Sequence, residues 1–182
     1  MGRLAYSRVY LAGPISYADD YGHGWREYVS KWLQKRNIVV LNPCDKTKFI
    51  SNEIDEADDF VKYLQSLKDT GEYDKLGKIV KRIRQIDLRC VDIADWLIVY
   101  IDIDVPIMGT AEELFWANRC KKPILVVCKQ GINKLNDWLF GCLPIEFFFN
   151  SFDEAFGYIK HIDEDVEVDD LGRWVFFDYC NI

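Results

Sequence analysis

Histidine is scarce in this chain: His23 and His161 are its only two, and they lie far apart. The six cysteines are Cys44, Cys90, Cys120, Cys128, Cys142 and Cys180, and none form a C-x-x-C pair. Without paired ligands at metal spacing there is no zinc constellation, and no metal or organic cofactor is expected. The thiols read as reduced and buried, with Cys90, Cys120 and Cys128 in segments that look like core. A basic excess is lacking too. The net charge is -7, which argues against a sequence-independent grip on a nucleic-acid polymer. No segment approaches the roughly 20 apolar residues of a membrane span. Met1–Ala5 holds one Arg and no long apolar run, so no signal peptide is read, and the expected location is the cytoplasm. Low-complexity tracts and internal repeats are also missing.

What the chain does have is a globular composition, 49% apolar and 29% charged over 182 residues, which favours one domain with a real core. Arg8–Gly13 is a short β-rich run stopped by Gly13-Pro14. Trp25, Tyr28, Val29, Trp32 and Leu33 recur at the spacing of an amphipathic helix. Ile38–Leu41 predicts a second strand, Trp96–Ile101 a third, Pro123–Cys128 a fourth and Ile145–Phe149 a fifth. Between them, apolar positions from Leu76 to Val91 predict a helix over about Tyr73–Val91, with a solvated basic face that includes Arg84. Gly131–Gly141 reads as a long connection. Ser151 with Glu154 is a capping box that opens a last helix. Five strands alternating with helices predict an α/β fold: a three-layer α/β/α sandwich on a five-stranded parallel sheet in the flavodoxin-like order 2-1-3-4-5. The domain is expected to span 1–182, with a helical insertion around 44–72. That insertion carries an acidic cluster, Asp55, Glu56, Asp58 and Asp59, expected to be solvated. The aromatic end, Trp174–Tyr179, is expected to pack on this subunit or a neighbour.

In such a sheet, ligands bind beyond the carboxyl ends of the strands and against helix N-termini. Three acids, Asp102, Asp104 and Glu113, follow the third strand there. Glycosidic cleavage commonly uses a nucleophilic carboxylate with a second acid at the leaving group. Pro106 and Gly109 predict a turn, with a helix entered at Thr110 and Glu113 in its first turn. Thr110-x-x-Glu113 is equally a capping box, in which Glu113 only bonds back to the Thr110 N–H. Glu112 is the other candidate, but it points about 100° away around the helix. Asp87 falls in the middle of an apolar stripe, where a carboxylate is costly unless paired or needed. It reads either as a structural acid or as a site acid. The Gly13–Gly24 loop after the first strand is a turn or a ligand-contacting loop. It matches neither G-x-G-x-x-G nor the Walker pattern, and Ala12-Gly13-Pro14 stands where a phosphoacceptor module has its acidic pair. Asp92 and Asp95 are read as turn caps.

Four pieces in order resemble the nucleoside 2-deoxyribosyltransferase family, including its relatives that hydrolyse 2′-deoxynucleoside 5′-monophosphates. They are Val9-Tyr-Leu-Ala-Gly-Pro-Ile15, Asp87-Leu-Arg-Cys-Val-Asp-Ile-Ala-Asp-Trp-Leu-Ile-Val-Tyr100, Gly109-Thr-Ala-Glu-Glu-Leu-Phe-Trp-Ala117 and Lys122-Pro-Ile-Leu125. The resemblance implies that Glu113 attacks C1′ of the deoxyribose, that Asp87 lies near the sugar and base, and that Asp104 or Asp102 is the acid after strand three. It also implies that Gly13, Pro14, Ile15 and Ser16 contact the sugar or a phosphate, beside Gly109 and Thr110 at the helix entry. The substrate would be a small deoxynucleoside or deoxynucleotide with a nucleobase acceptor, the mechanism a covalent 2-deoxyribosyl ester, and the assembly a homo-oligomer. Transfer is favoured over hydrolysis because acids dominate the edge. A hydrolase for monophosphates should present Ser16 and a cation such as Arg26 to the 5′-phosphate. Tyr17, Trp25 or Phe115 could stack on the base, with core packing the favoured reading for each. Three departures stand out. Phe115 replaces the family's glycine after Glu-Leu. The segment before Glu113 is longer than in the compact transferases. The end, Tyr179-Cys-Asn-Ile182, lacks their terminal tyrosine.

Overall fold

The computed structural model describes residues 2–46, 57–164 and 169–177. Asp55, Glu56 and the segment from Asp178 to Ile182, which includes Cys180, lie outside them. Five strands, β1 (Arg8–Ala12), β2 (Val39–Leu41), β3 (Trp96–Ile101), β4 (Ile124–Cys128) and β5 (Phe148–Phe149), form one sheet. Every pairing is parallel, and the order is β2-β1-β3-β4-β5, as the alternation of strands and helices predicts.

Period-two alternation assigns the strand side chains to two cores. Val9, Leu11, Trp96, Ile98, Leu125 and Val127 point to one face, where they meet Val29 and Leu33 of α1 (His23–Gln34) and Phe156 and Ile159 of α6 (Phe152–Glu164). Tyr10, Ala12, Leu97, Val99, Ile101 and Val126 point to the other. There they meet Val91 of α3 (Tyr73–Ile93), Leu114 and Ala117 of α4 (Met108–Arg119) and Leu139 of the short α5 (Asp137–Phe140). A further helix, α2 (Ala57–Asp69), packs on α3. It falls in the segment read as an insertion.

Several local expectations are corrected. The connection over Gly131–Gly141 is structured: a 3-10 turn at Ile132–Lys134 precedes α5, which Asn136 caps by accepting the Trp138 N–H at 2.9 Å. The fifth strand is only Phe148–Phe149, because Ile145–Phe147 turns as a 3-10 helix after Pro144. Cys128 is buried, but Cys90 is half-buried and Cys120 exposed, at the frayed end of α4. Asp95 does more than cap a turn. It accepts the Arg8 N–H at 2.7 Å and pairs with the Arg8 guanidinium at 3.0 Å, which ties the entry of β3 to β1.

The aromatic end packs on its own subunit. Trp174 is fully buried against Trp96 and Tyr158 and donates its indole N–H to the Tyr158 hydroxyl at 2.9 Å. Arg173 beside it donates to the side chain of Asn118 and the carbonyl of Cys142, which fastens the end to α4. Truncating an aromatic ring of this size in a core costs about 3–5 kcal/mol. Trp174→Ala is therefore expected to lower unfolding free energy by about that amount, read from the urea midpoint at unchanged slope.

Candidate active site

The sheet's alternation aims Tyr10 at the layer occupied by α3 and α4. Its hydroxyl donates to Glu113 Oε1 at 2.7 Å, with both groups buried. The helix that carries Glu113 starts earlier than its sequence predicts. α4 begins at Met108, and its N-cap residue is Ile107, with no side-chain cap. Thr110 is thus inside the helix and cannot be the N-cap of a capping box, Gly109 is helical rather than part of a turn, and Glu113 sits in the second turn. Met108 and Gly109 extend the helix by about half a turn past the predicted boundary. Glu113 is instead a buried carboxylate that accepts a hydrogen bond from a phenol at the wall of a cavity.

That cavity measures about 880 Å3 and opens beyond the carboxyl ends of β1 and β3. Glu113, Glu112, Thr110 and Gly109 of α4 form one wall. Asp87 and Arg84 of α3 form a second, and the loop Gly13, Pro14, Ile15 and Ser16 a third. Asp87 lies six residues before Ile93, about 9 Å along α3 from its C-terminal end, and it reaches the cavity from there. Phe60, Val61 and Leu64 of α2 close a fourth side, so the segment read as an insertion builds part of the cavity.

Arg26 does not face a ligand. It is fully buried and donates to the carbonyls of Gly22 at 2.9 Å, Gly13 at 2.7 Å, and Pro14 and Leu11 at 3.3 Å. The side chain that a monophosphate hydrolase would turn to phosphate is instead the post around which the loop after β1 is wound. Gly13 must be a glycine there: a Cβ would stand 2.7 Å from the Trp25 ring and 3.2 Å from the Tyr100 carbonyl. Trp25 itself is taken up by stacking on Phe152, at 5.7 Å between centroids, and by Tyr100 at 5.1 Å. It does not line the cavity, whereas Tyr17 and Phe115 do.

The acids after β3 separate from Glu113. Lys129 Nζ lies 2.6 Å from Asp102 Oδ2, and the Gln130 amide donates to Asp102 at 2.6 Å and to Asp104 at 2.9 Å. The Ile103 N–H donates to Gln130 in return. The loop is stapled to the end of β4, and neither acid lines the cavity. Partial burial pushes the Asp102 carboxyl upward, but its bonds to Lys129 and Gln130 outweigh that and hold it below the usual range. Glu112 is paired as well: Arg84 grips it with Nε at 2.7 Å and with Nη2, and this bond to Arg84 holds its carboxyl below the usual range. The Glu112 charge at the cavity wall is thereby met by a cation.

Tyr10 and Arg84 carry more of this site than the sequence reading assigned to them. The signal for Tyr10 was a hydroxyl in an apolar strand, on the face shared with Ala12. For Arg84 it was the three-residue spacing to Asp87, which puts both on one helix face. Among the described residues no cluster of three His, Cys, Asp or Glu is placed to hold a metal ion, and no helix is long and apolar enough to cross a membrane.

No family model matches this chain, and no curated protein matches its sequence. Solved structures do share its fold. A 2-deoxyribosyltransferase of Bacillus psychrosaccharolyticus superposes with a TM-score of 0.58 at 15% identity, over 82% of this chain and 90% of the other. A 2-deoxyribosyltransferase of Leishmania mexicana does so with a TM-score of 0.55 at 20% identity, over 84% and 96%. A CMP N-glycosidase of Clostridium botulinum, 14% identical over 85% and 98%, reaches only 0.44, a likeness too weak to bear on the site. The chain has the fold of the 2-deoxyribosyltransferases.

Burial, then the charges of Glu113 and Asp87, push the Tyr10 phenol well above its ordinary value of about 10. The folded state therefore keeps Tyr10 neutral after an unfolded chain would ionise it. Its contribution to stability is complete below about pH 10 and is lost as pH rises toward the folded value. Tyr158, pushed up to about 12 by burial, acts in the same direction. Tyr10→Phe is expected to remove part, not all, of the stability loss above about pH 10, as measured by urea unfolding across that range.

Proposed function

We propose that this chain is an enzyme of the 2-deoxyribosyltransferase kind, cleaving the N-glycosidic bond of 2′-deoxynucleosides and passing the sugar to another nucleobase. The observation that carries the reading is the buried Glu113 carboxylate, oriented by Tyr10 at 2.7 Å, in a cavity that Asp87 also lines. The shared fold supports it. Tyr10 holds Oε1 and so fixes the carboxylate plane. Glu113 attacks C1′ through an oxocarbenium-like state, the C1′–N bond breaks, and a 2-deoxyribosyl ester forms on Glu113. Asp87 takes the role of the acid that protonates the departing base. Asp102 and Asp104, the sequence's first choice for that proton, are tied to Lys129 and Gln130 and act on the loop instead. A second base attacks C1′, releases Glu113 and returns a proton to Asp87. The loop from Gly13 to Ser16 seats the sugar.

Cleavage of 5′-monophosphates by water is the second reading. Ser16, His23 and Arg84 line the cavity and favour it. Against it, Arg26 is spent on backbone carbonyls and Arg84 on Glu112. An uncharged 5′ end suits the site better. The proposal includes a homo-oligomer in which a second copy covers the open side, where Met108 is 85% exposed.

With deoxyadenosine and cytosine, chromatography should show deoxycytidine forming. Glu113→Ala should lower that rate about a thousandfold or more, and Asp87→Asn by about a hundredfold or more. Tyr10→Phe removes a hydrogen bond to a charged group and should cost about ten- to a hundredfold in kcat with little change in KM. Free adenine without deoxycytidine would favour hydrolysis, and full activity in Glu113→Ala would end the nucleophile assignment.

A further inference from the structure

A second space, of about 460 Å3, lies beside the cavity between α2 and α3. Ser16, Tyr17, Val61, Leu64 and Val80 line both spaces, so this annex directly adjoins the site. Its walls are mostly apolar, with Leu76 added from α3, and Lys68 stands at its edge, its ammonium 6.0 Å from the Tyr17 ring centroid.

Gly77 also lines the annex. It lies inside the 21-residue helix α3, with no positive φ, and a Cβ built on it would meet nothing within 4 Å. Glycine in a helix interior costs stability relative to alanine. Neither backbone conformation nor close packing calls for it, so what its missing side chain provides is room. The cavity alone, at about 880 Å3, is already near the top of the roughly 300–1,000 Å3 that small-molecule sites occupy. A plain deoxynucleoside has no apolar group with which to fill the extra space.

We propose that the annex between α2 and α3 binds an apolar group carried by the substrate, on its base or at its sugar 5′ end, making this a site for substituted nucleosides. The inference rests on the N-glycosidic reading of the cavity for what is attached to that group. The walls are mostly apolar and disfavour charge, and Val61 and Leu64 of α2 with Leu76 and Val80 of α3 offer the group an apolar surface on both helices.

The test is calorimetric binding in the Glu113→Ala background, where nothing is turned over. The ligands are deoxyadenosine, its N6-benzyl derivative and its 5′-O-benzyl derivative. One derivative should bind at least about tenfold more tightly than deoxyadenosine, as expected for burying a phenyl group. The derivative that gains identifies the attachment point. Adding Gly77→Leu, a good helix former that fills the annex, should cancel the gain while leaving deoxyadenosine affinity within about twofold. Gly77→Ala should keep most of it. If neither derivative gains, or if the gain survives Gly77→Leu, the annex does not bind substrate. Because these are affinities, they decide the annex whether or not wild-type protein cleaves deoxyadenosine, which separately decides the reaction.

Discussion

The hydrogen bond from Tyr10 to Glu113 joins the sheet to the helix that forms the cavity wall, and most of the site's geometry follows from it. It requires β1 to point Tyr10 toward α4 rather than α1, which the pairing of Val9 with Trp96 and Tyr10 with Leu97 enforces. A slip of one residue would send Tyr10 to the opposite core and leave Glu113 buried without its phenol. It also requires α4 to start at Met108, so that its second turn lies over the sheet edge. A buried carboxylate is expensive unless it is hydrogen-bonded. Tyr10 meets part of that cost and at the same time sets the orientation from which the carboxylate can act.

Charge around this bond is arranged by pairing. Arg84 meets Glu112, Lys129 meets Asp102, and Arg26 is turned inward onto four carbonyls. The acids that look equivalent along the chain are therefore unequal in space. Glu113 and Asp87, from two helices, both line the cavity, while the pair after β3 braces a loop.

The sheet and its order were legible in the sequence because buried parallel strands are short apolar runs between helical periodicities. The cavity's principal acids were legible too, Glu113 from its place after a strand and Asp87 from its place on an apolar stripe. The start of α4 was not, because Thr110 imitates an N-cap and nothing in local pattern shows that Ile107 can end the loop without one. Nor could the sequence separate Asp102 and Asp104 from the site. Their partners Lys129 and Gln130 are 27 and 26 residues away and meet them only through the β3–β4 pairing. Arg26 misled for a similar reason. A cation at the start of a helix reads as a ligand group, and only the winding of the loop from Leu11 to Gly22 shows it facing carbonyls. The segment around α2 was visible as an addition to the fold, but its place as a cavity wall comes from packing on α3.

The central claim is that Glu113 becomes covalently joined to deoxyribose. Incubation with a slowly turned-over 2′-fluoro-substituted deoxynucleoside, followed by digestion and fragmentation mass spectrometry, tests it directly. One fluorodeoxyribosyl group is expected on the peptide that contains Glu112 and Glu113, with the fragment series placing it on Glu113. The group on Glu112, or an unmodified peptide while base is released, would contradict it.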